Sequence, residues 1–316
     1  MEAVLIYNPT AGPRHVRGEL ERLRPFFRRR GWSVELRVTK GPGDATRMAR
    51  EAAMSGQDAV IVAGGDGTVN EVVNGLVGTG TAMGVLPVGT GNLWAKELRV
   101  PTYALANPMR LREAAAGLVG GTVRAIDVGR VGKRNFLCWA SAGLDAKVTD
   151  EMEPRERSTK RLGALPYVVA AVLVARDFKG VEAEVVLDGE VVSGRILLVV
   201  ANNIQRYGGL LEVAPQARLD DGLLDIFVFK GLGMKYVVRH LVRVLSRRVL
   251  DDPEIVHRQG RRIEVRTEEP VSVQADGDPV GSTPVGMEVV PGALRIIAPP
   301  TMPSDLLGAT IEADRQ

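Results

Sequence analysis

Residues 58–76 read DAVIVAGGDGTVNEVVNGL. The first part is a short apolar, β-branched run and reads as a buried strand. The last part places Val69, Val72, Val73 and Leu76 at i, i+3, i+4 and i+7, one face of a helix. GGDGT (64–68) is therefore a strand-to-helix turn, the joint from which mostly parallel α/β sheets are built. The N–H groups of Gly64, Gly65 and Gly67 carry no side chain in front of them and point with the helix dipole toward an anion. A plain turn that uses glycine for positive φ is the alternative. The pattern is not G-x-G-x-x-G, because Asn70 takes the last glycine's place, and the chain contains no G-x-x-x-x-G-K-[ST]. A Rossmann dinucleotide site and a P-loop are both disfavoured. Asp66, in the middle of an anion cradle, is repulsive unless a cation intervenes, and Mg²⁺ binds through one or two carboxylates plus substrate phosphates. That combination points to phosphoryl transfer from a nucleoside triphosphate.

Working outward, residues 1–122 alternate strand-like runs (AVLIYN, SVELRVT, DAVIVAG, MGVLPV) with helical patterns near 16–30, 44–55 and from Val69. This predicts an α/β N-terminal domain with a mostly parallel sheet. Ligands in such sheets bind beyond the carboxyl ends of the strands. The loops at those ends are NPTAG (8–12), TKGPGDA (39–45), GGDGT (64–68) and PVGTGN (87–92), so one site built from four loops is expected. From residue 123 to 298 strand-like segments follow one another through turns, predicting an antiparallel β-sandwich domain interrupted by helices near 162–178 and 234–250. The last strand, ALRIIAP (293–299), can close either domain, and 299–316 reads as a polar tail.

Composition agrees with an ordered globular chain: of 316 residues 45% are apolar and 25% charged, with 36 glycines for tight turns. Cys138 is the single cysteine, which excludes a disulfide framework and a cysteine metal site. No signal-peptide pattern and no run of ~18 apolar residues is found, so a cytoplasmic protein, at most peripherally bound to a membrane, is expected. Net charge +3 gives no case for nucleic acid.

NPTAG (8–12), GGDGTVNEVVNGL (64–76), LPVGTGN (86–92), YGG with VAPQARLDDGLLD (207–225) and ADGDP (275–279) together resemble the diacylglycerol kinase catalytic family, in particular its soluble bacterial lipid kinases. The resemblance runs from about residue 1 to 298. It implies an N-terminal domain like those of NAD kinases and phosphofructokinases, a C-terminal β-sandwich, and ATP in the cleft between them. Positions that match the family's ATP contacts are Thr39, Gly65, Asp66, Gly67, Thr68, Val69, Asn70, Glu71 and Thr90, with Asn8 nearby. It also implies a second Mg²⁺, held by Asp221 and the carbonyls of Arg218 and Leu223; a plain D-G turn there is compatible with it.

Two positions depart from the family pattern. The glutamate of a D-G-E triplet, implied as general base, is replaced in Asp276-Gly277-Asp278. If the triplet lies in a strand, Asp276 and Asp278 share one face and can reach one cleft; a hairpin turn is the alternative. Many relatives carry an acidic residue after the asparagine of PVGTGN (87–92), where this chain has Leu93, and Glu97 one turn later could approach a similar place.

In KYVVRHLVRVLSRRVL, Lys235, Arg239, Arg243 and Arg247 form a basic stripe beside Val238, Leu241, Val242 and Leu245. Such a helix either lies on an anionic membrane or packs its apolar face on a sheet. The resulting expectation is an ATP- and Mg²⁺-dependent kinase of a lipid alcohol, by resemblance diacylglycerol, with Asp66 and the glycine loop handling phosphate and metal, Asp278 as base and Asp276 beside it as a further catalytic residue. An NAD kinase-like enzyme and a nucleotide- or lipid-binding regulator with little turnover stay open, as does a homodimer.

Overall fold

The computed structural model describes residues 1–12, 16–104, 106–152, 178–208 and 211–308. In the N-terminal half, strands β1 (Glu2–Tyr7), β2 (Ser33–Val38), β3 (Ala59–Gly64) and β4 (Ala82–Pro87) alternate with helices α1 (Val16–Arg28), α2 (Asp44–Met54), α3 (Asp66–Leu76), α4 (Leu93–Glu97) and α5 (Met109–Val119). The strands pair in parallel in the order β4-β3-β1-β2. Every residue of β3 and β4 is buried, as expected for central strands covered by helices on both faces, where each buried aliphatic side chain stabilises by about 1.5–3 kcal/mol.

The C-terminal half holds β5 (Thr122–Val131), β6 (Arg134–Phe136), β7 (Trp139–Gly143), α6 (Leu144–Met152), β8 (Val181–Leu187), β9 (Glu190–Asn202), β10 (Arg206–Tyr207), β11 (Leu211–Glu212), β12 (Leu224–Lys230), α7 (Met234–Leu245), β13 (Ile255–Gly260), β14 (Arg262–Thr267), β15 (Ser272–Ala275), β16 (Asp278–Ser282) and β17 (Val285–Ala298). Its pairings are antiparallel, around a core that includes Phe136, Val185, Ile226, Ile263 and Met287.

The final strand belongs to both halves. Met287 and its neighbours pair with β14, whereas Arg295 and Ile296 pair in parallel with Ala82 and Met83 of β4. Along most of its length β17 also runs antiparallel to β5, with a bulge between Val290 and Leu294. The two halves are thus stitched by a continuous two-strand ladder rather than a loose linker, and this fixes the cleft between them.

The structure shortens one expected helix and decides between the two packings left open for it. The helix read over 234–250 stops at Leu245, and a separate turn of 3-10 helix covers Val249–Asp251. The apolar stripe of that helix does not pack on the sheet: its buried residues are His240 and Val244, and Val238, Leu241, Val242 and Leu245 face outward. Residues 134–143 form two strands, β6 and β7, with the N–H groups of Leu137, Cys138 and Trp139 at the break donating to a carboxylate. The helix expected over 162–178 lies almost wholly outside the described residues.

Candidate active site

The glycine loops converge at the carboxyl ends of β1, β3 and β4. Gly64, Gly65 and Gly67 all have ordinary negative φ, so the alternative of a plain turn that uses glycine for positive φ does not hold. What requires glycine is proximity. A Cβ on Gly64 would stand 2.5 Å from Thr68 Cβ, one on Gly89 would stand 2.5 Å from Gly65 Cα, and one on Gly91 would stand 2.4 Å from Asp66 Oδ2. Gly12 closes the third side; its φ is +76° and its Cβ would fall 2.0 Å from the Val88 carbonyl oxygen. Loops 8–12, 64–68 and 87–92 therefore touch backbone to backbone. Around Gly67 there is open space, which leaves the first turn of α3 accessible.

Side chains pin these loops. Asn8 Nδ2 donates to Thr68 Oγ1 at 2.9 Å, and Asn8 Oδ1 accepts from the Thr10 amide at 2.9 Å. Asn92, with φ +51°, folds its side chain back on both the N–H and the C=O of Gly89. Thr39 is buried at the end of β2, its N–H donating to the Tyr7 carbonyl. Thr90 is exposed at the tip of the third loop. The Glu71 carboxylate is turned to α2, accepting the Ala45 N–H at 3.0 Å, where it favours that helix's N-terminus.

Asp66 opens α3 and looks across to the third loop. Its Oδ1 accepts the Leu93 N–H at 2.5 Å, the first amide of α4. Burial raises its proton affinity, and the amides of Leu93 and Asn92 oppose that. Leu93 thus meets Asp66 through its backbone. Glu97 does not stand in for the missing acidic side chain: it is buried and accepts the Gln205 N–H at 2.9 Å, on the C-terminal half.

The opposite wall comes from the C-terminal half. Asp276 (φ +50°) and Gly277 (φ +84°) form the two-residue turn between β15 and β16, a pair of left-handed residues of the kind that hairpins use. The triplet is consequently a hairpin turn, and the same-face strand geometry expected for Asp276 and Asp278 is corrected. The Asp276 carboxylate accepts N–H bonds from Leu137 at 2.6 Å, Cys138 at 2.8 Å and Trp139 at 3.1 Å. Burial nevertheless pushes its pKa up to about 6, with the charge of Asp66 adding to the rise. Asp66 and Asp276, 210 residues apart in sequence, face one small cavity, lined also by Val69, Asn70, Leu93, Trp94, Leu137 and Cys138.

Asp278 does not line that cavity; it is ion-paired with Arg134. Arg134 also approaches α3: with the Asn70 amide turned so that its oxygen faces the guanidinium, that oxygen accepts from Arg134 Nη2 at 3.0 Å. Beside it, Asn74 exchanges two bonds with the backbone of Asn135, donating to the carbonyl at 3.0 Å and accepting from the N–H at 2.9 Å. Arg134 lies in none of the quoted motifs, and Asn74, although inside GGDGTVNEVVNGL, is not singled out by it. The available signal was a pair of asparagines, Asn70 and Asn74, four apart on α3.

Among the described residues no cluster of three or more His, Cys, Asp or Glu side chains is placed to hold a metal. Two carboxylates on one small cavity under a set of glycine amides still fit Mg²⁺, which completes its shell with phosphate and water. At the second expected site, Asp221 Oδ1 accepts the Leu223 N–H at 3.0 Å and Gly222 has φ +72°, so a D-G turn is present. Asp221 lines a pocket with Arg218, Gln216, Gln259 and Asp305, and burial together with Asp225, Asp127 and Asp220 raises its proton affinity. An excess of carboxylates over an all-oxygen shell suits a hard cation. The turn is held by Asp127, which accepts from Gly222 N at 2.6 Å and Gly292 N at 2.7 Å and was not singled out by any motif.

Comparison with known proteins agrees with this architecture. Residues 2–131 match the diacylglycerol kinase catalytic domain, and residues 138–298 match the YegS C-terminal NAD kinase beta sandwich-like domain. A diacylglycerol kinase of Bacillus subtilis is 31% identical over 284 residues, covering 89% of this chain and 91% of its own length. One from Staphylococcus carnosus is 27% identical, covering 89% and 90%. A crystal structure of a diacylglycerol kinase from Bacillus anthracis superposes with a TM-score of 0.75 at 28% identity, covering 95% of this chain and 97% of that one. The class these matches define is that of the lipid kinases. The chain belongs to the diacylglycerol kinase catalytic family.

Proposed function

We propose that this protein is an ATP- and Mg²⁺-dependent kinase of a lipid alcohol, with diacylglycerol as the acceptor and phosphatidic acid as the product. The observation that carries the reading is the meeting of Asp66 and Asp276, one from each half, at a cavity directly beside three converging glycine loops. ATP would lie along those loops, with its phosphates on the amides of residues 65–68 and the start of α3, and with Asn8, Thr39, Thr68 and Thr90 around it. When bound, Mg²⁺ would neutralise phosphate charge as the transfer proceeds. Asp66 and Asp276 would hold it, and the bonds from Leu93 and from residues 137–139 keep both carboxylates in place. Asp221, with the carbonyls of Arg218 and Leu223, would hold a second ion away from the chemistry.

Asp278 would act as general base, drawing the proton from the lipid hydroxyl as that oxygen attacks the γ-phosphorus and ADP leaves. Arg134 positions Asp278 against α3, which offsets a side chain one methylene shorter than the glutamate implied by the family pattern. The enzyme would work from the cytoplasm on a membrane lipid; among the described residues no helix is long and apolar enough to cross a membrane.

Leu93, where relatives carry a carboxylate, favours a second reading: a protein that binds nucleotide and lipid with little turnover. Labelled ATP with a panel of diacylglycerol, phosphatidylglycerol, ceramide, a sphingoid base, undecaprenol and NAD separates these. Label in phosphatidic acid supports the proposal, label in NAD alone overturns it, and binding without any transfer favours the second reading.

A further inference from the structure

The Asp276-Gly277 turn is held by two separate devices. Asp276 is anchored by its carboxylate on the amides of residues 137–139 and by its own N–H, which donates to the Trp139 carbonyl at 2.9 Å. Gly277, at φ +84°, is the second residue of a two-residue loop. The ladder closes with the pair Ala275 and Asp278, which leaves the Gly277 N–H outside it. A side chain takes that N–H instead: Gln274 Oε1 accepts it at 2.8 Å.

Gln274 lies on β15 directly opposite Ser141 of β7 and is 1% exposed. Its Nε2 donates to Ser141 Oγ at 2.8 Å and to Asp145 Oδ2 at 2.9 Å. The Ser141 hydroxyl donates to the same carboxylate oxygen at 2.7 Å. Ser141 is fully buried, and Asp145 stands in the first turn of α6. The three side chains thus close a ring with one direction of donation, from amide through hydroxyl to carboxylate. A donor is required toward Asp145 and an acceptor toward Gly277, so an amide of this length fits where an aliphatic chain or a carboxylate would fail on one side or both. A buried polar network satisfied in this way holds its members to one geometry.

The turn so held leads directly into Asp278. We propose that Gln274 is a positioning residue for phosphoryl transfer: braced by Ser141 and Asp145, it fixes the Gly277 backbone and with it the direction in which Asp278 leaves the turn. This rests on the kinase reading for the use to which Asp278 is put, whereas the brace itself does not.

The test reads backbone and chemistry separately in the full chain. Hydrogen exchange at the Gly277 amide follows the brace, and steady-state transfer from labelled ATP to diacylglycerol follows its use. Gln274→Met, of similar length but without the amide, should speed Gly277 exchange at least about tenfold. It should also lower kcat at least about tenfold, with KM for ATP and acceptor within about twofold of the parent. Gln274→Asn, one methylene short of spanning both partners, should show the same split, and it decides the question if Gln274→Met does not fold. Gln274→Glu combined with Asp145→Asn reverses the ring without changing its charge. The introduced amide then donates to Ser141 and to the introduced carboxylate, whose other oxygen still accepts from Gly277. This pair should bring exchange and kcat to within about threefold of Asp145→Asn alone. Gly277 exchange that ignores the substitutions at Gln274, faster exchange with kcat unchanged, KM rising in step with the loss of kcat, or a reversed pair no better than Gln274→Asn would each overturn the proposal. Faster exchange in the variants of a parent that phosphorylates no lipid would leave the brace standing and the kinase reading refuted.

Discussion

Asp66 Oδ1 accepts the Leu93 N–H at 2.5 Å and so clamps the glycine loop 87–92 onto the glycine loop 64–68. This clamp and the proposed ion-holding role can be separated. Asp66→Asn keeps an acceptor for the amide and should melt within about 1 kcal/mol of the parent, whereas Asp66→Ala leaves a buried donor unmet and should lose about 1–3 kcal/mol. Both should lower turnover at least about a hundredfold. Denaturant melts with radiometric assays decide it, and an active Asp66→Asn would show the clamp to be the whole role.

Gly67 and Gly89 make opposite predictions from one kind of substitution. Open space at Gly67 accepts a methyl group, and an alanine inside α3 should leave stability unchanged or raise it by about 0.5–1 kcal/mol, yet weaken ATP binding by crowding the phosphates. At Gly89 a Cβ meets the Gly65 backbone at 2.5 Å, so Gly89→Ala should force the loops apart and cost about 1–3 kcal/mol. Thermal melts with nucleotide titrations would read both effects.

Asp276 predicts a pH dependence of stability. Its folded pKa is about 6 against an ordinary 3.8, so the folded state holds a proton that the unfolded chain has released. The contribution is complete below 3.8, falls as pH rises, and is lost above about 6, a loss of at most about 3 kcal/mol. Asp276→Asn, which keeps an oxygen for the amides of Cys138 and Trp139 and loses the acceptor for Leu137, should be less stable at low pH but should lack this fall between about pH 4 and 6.5. Parallel slopes in the two proteins would show that Asp276 titrates normally.

Asp278→Asn should cut phosphoryl transfer at least about a hundredfold while ATP affinity stays near that of the parent. Asp278→Glu should retain activity, because the added methylene carries the carboxyl in the direction the family pattern implies. Arg134→Ala, in contrast, should lower kcat with both triplet carboxylates present. Unchanged turnover in Asp278→Asn would remove it from the mechanism.

Added Mg²⁺ should raise the melting temperature of the parent without nucleotide, and this rise should disappear in Asp221→Ala and shrink in Asp127→Asn, which loosens the Gly222 turn. Equal rises in all three would place the ion elsewhere.

The sequence by itself determined the parallel α/β half and the glycine turn after β3, because those features rest on local rules: helix and strand periodicity, and glycine before a helix. It also showed that Leu93 breaks the family pattern. Local rules could not say that Asp276 sits in a hairpin turn rather than a strand, since both conformations suit D-G-D and only the amides of 137–139, folded in from elsewhere, favour the turn. Nor could they show that β17 joins the two halves, that Glu97 turns to Gln205, or that Arg134 links Asp278 to Asn70. Each depends on contacts between residues remote in sequence. The same holds for α7, whose pattern of apolar and basic residues was plain from the start. Only the buried Asp252 decided which side faces the protein, because a desolvated carboxylate needs the arginine and leaves the apolar side to the solvent.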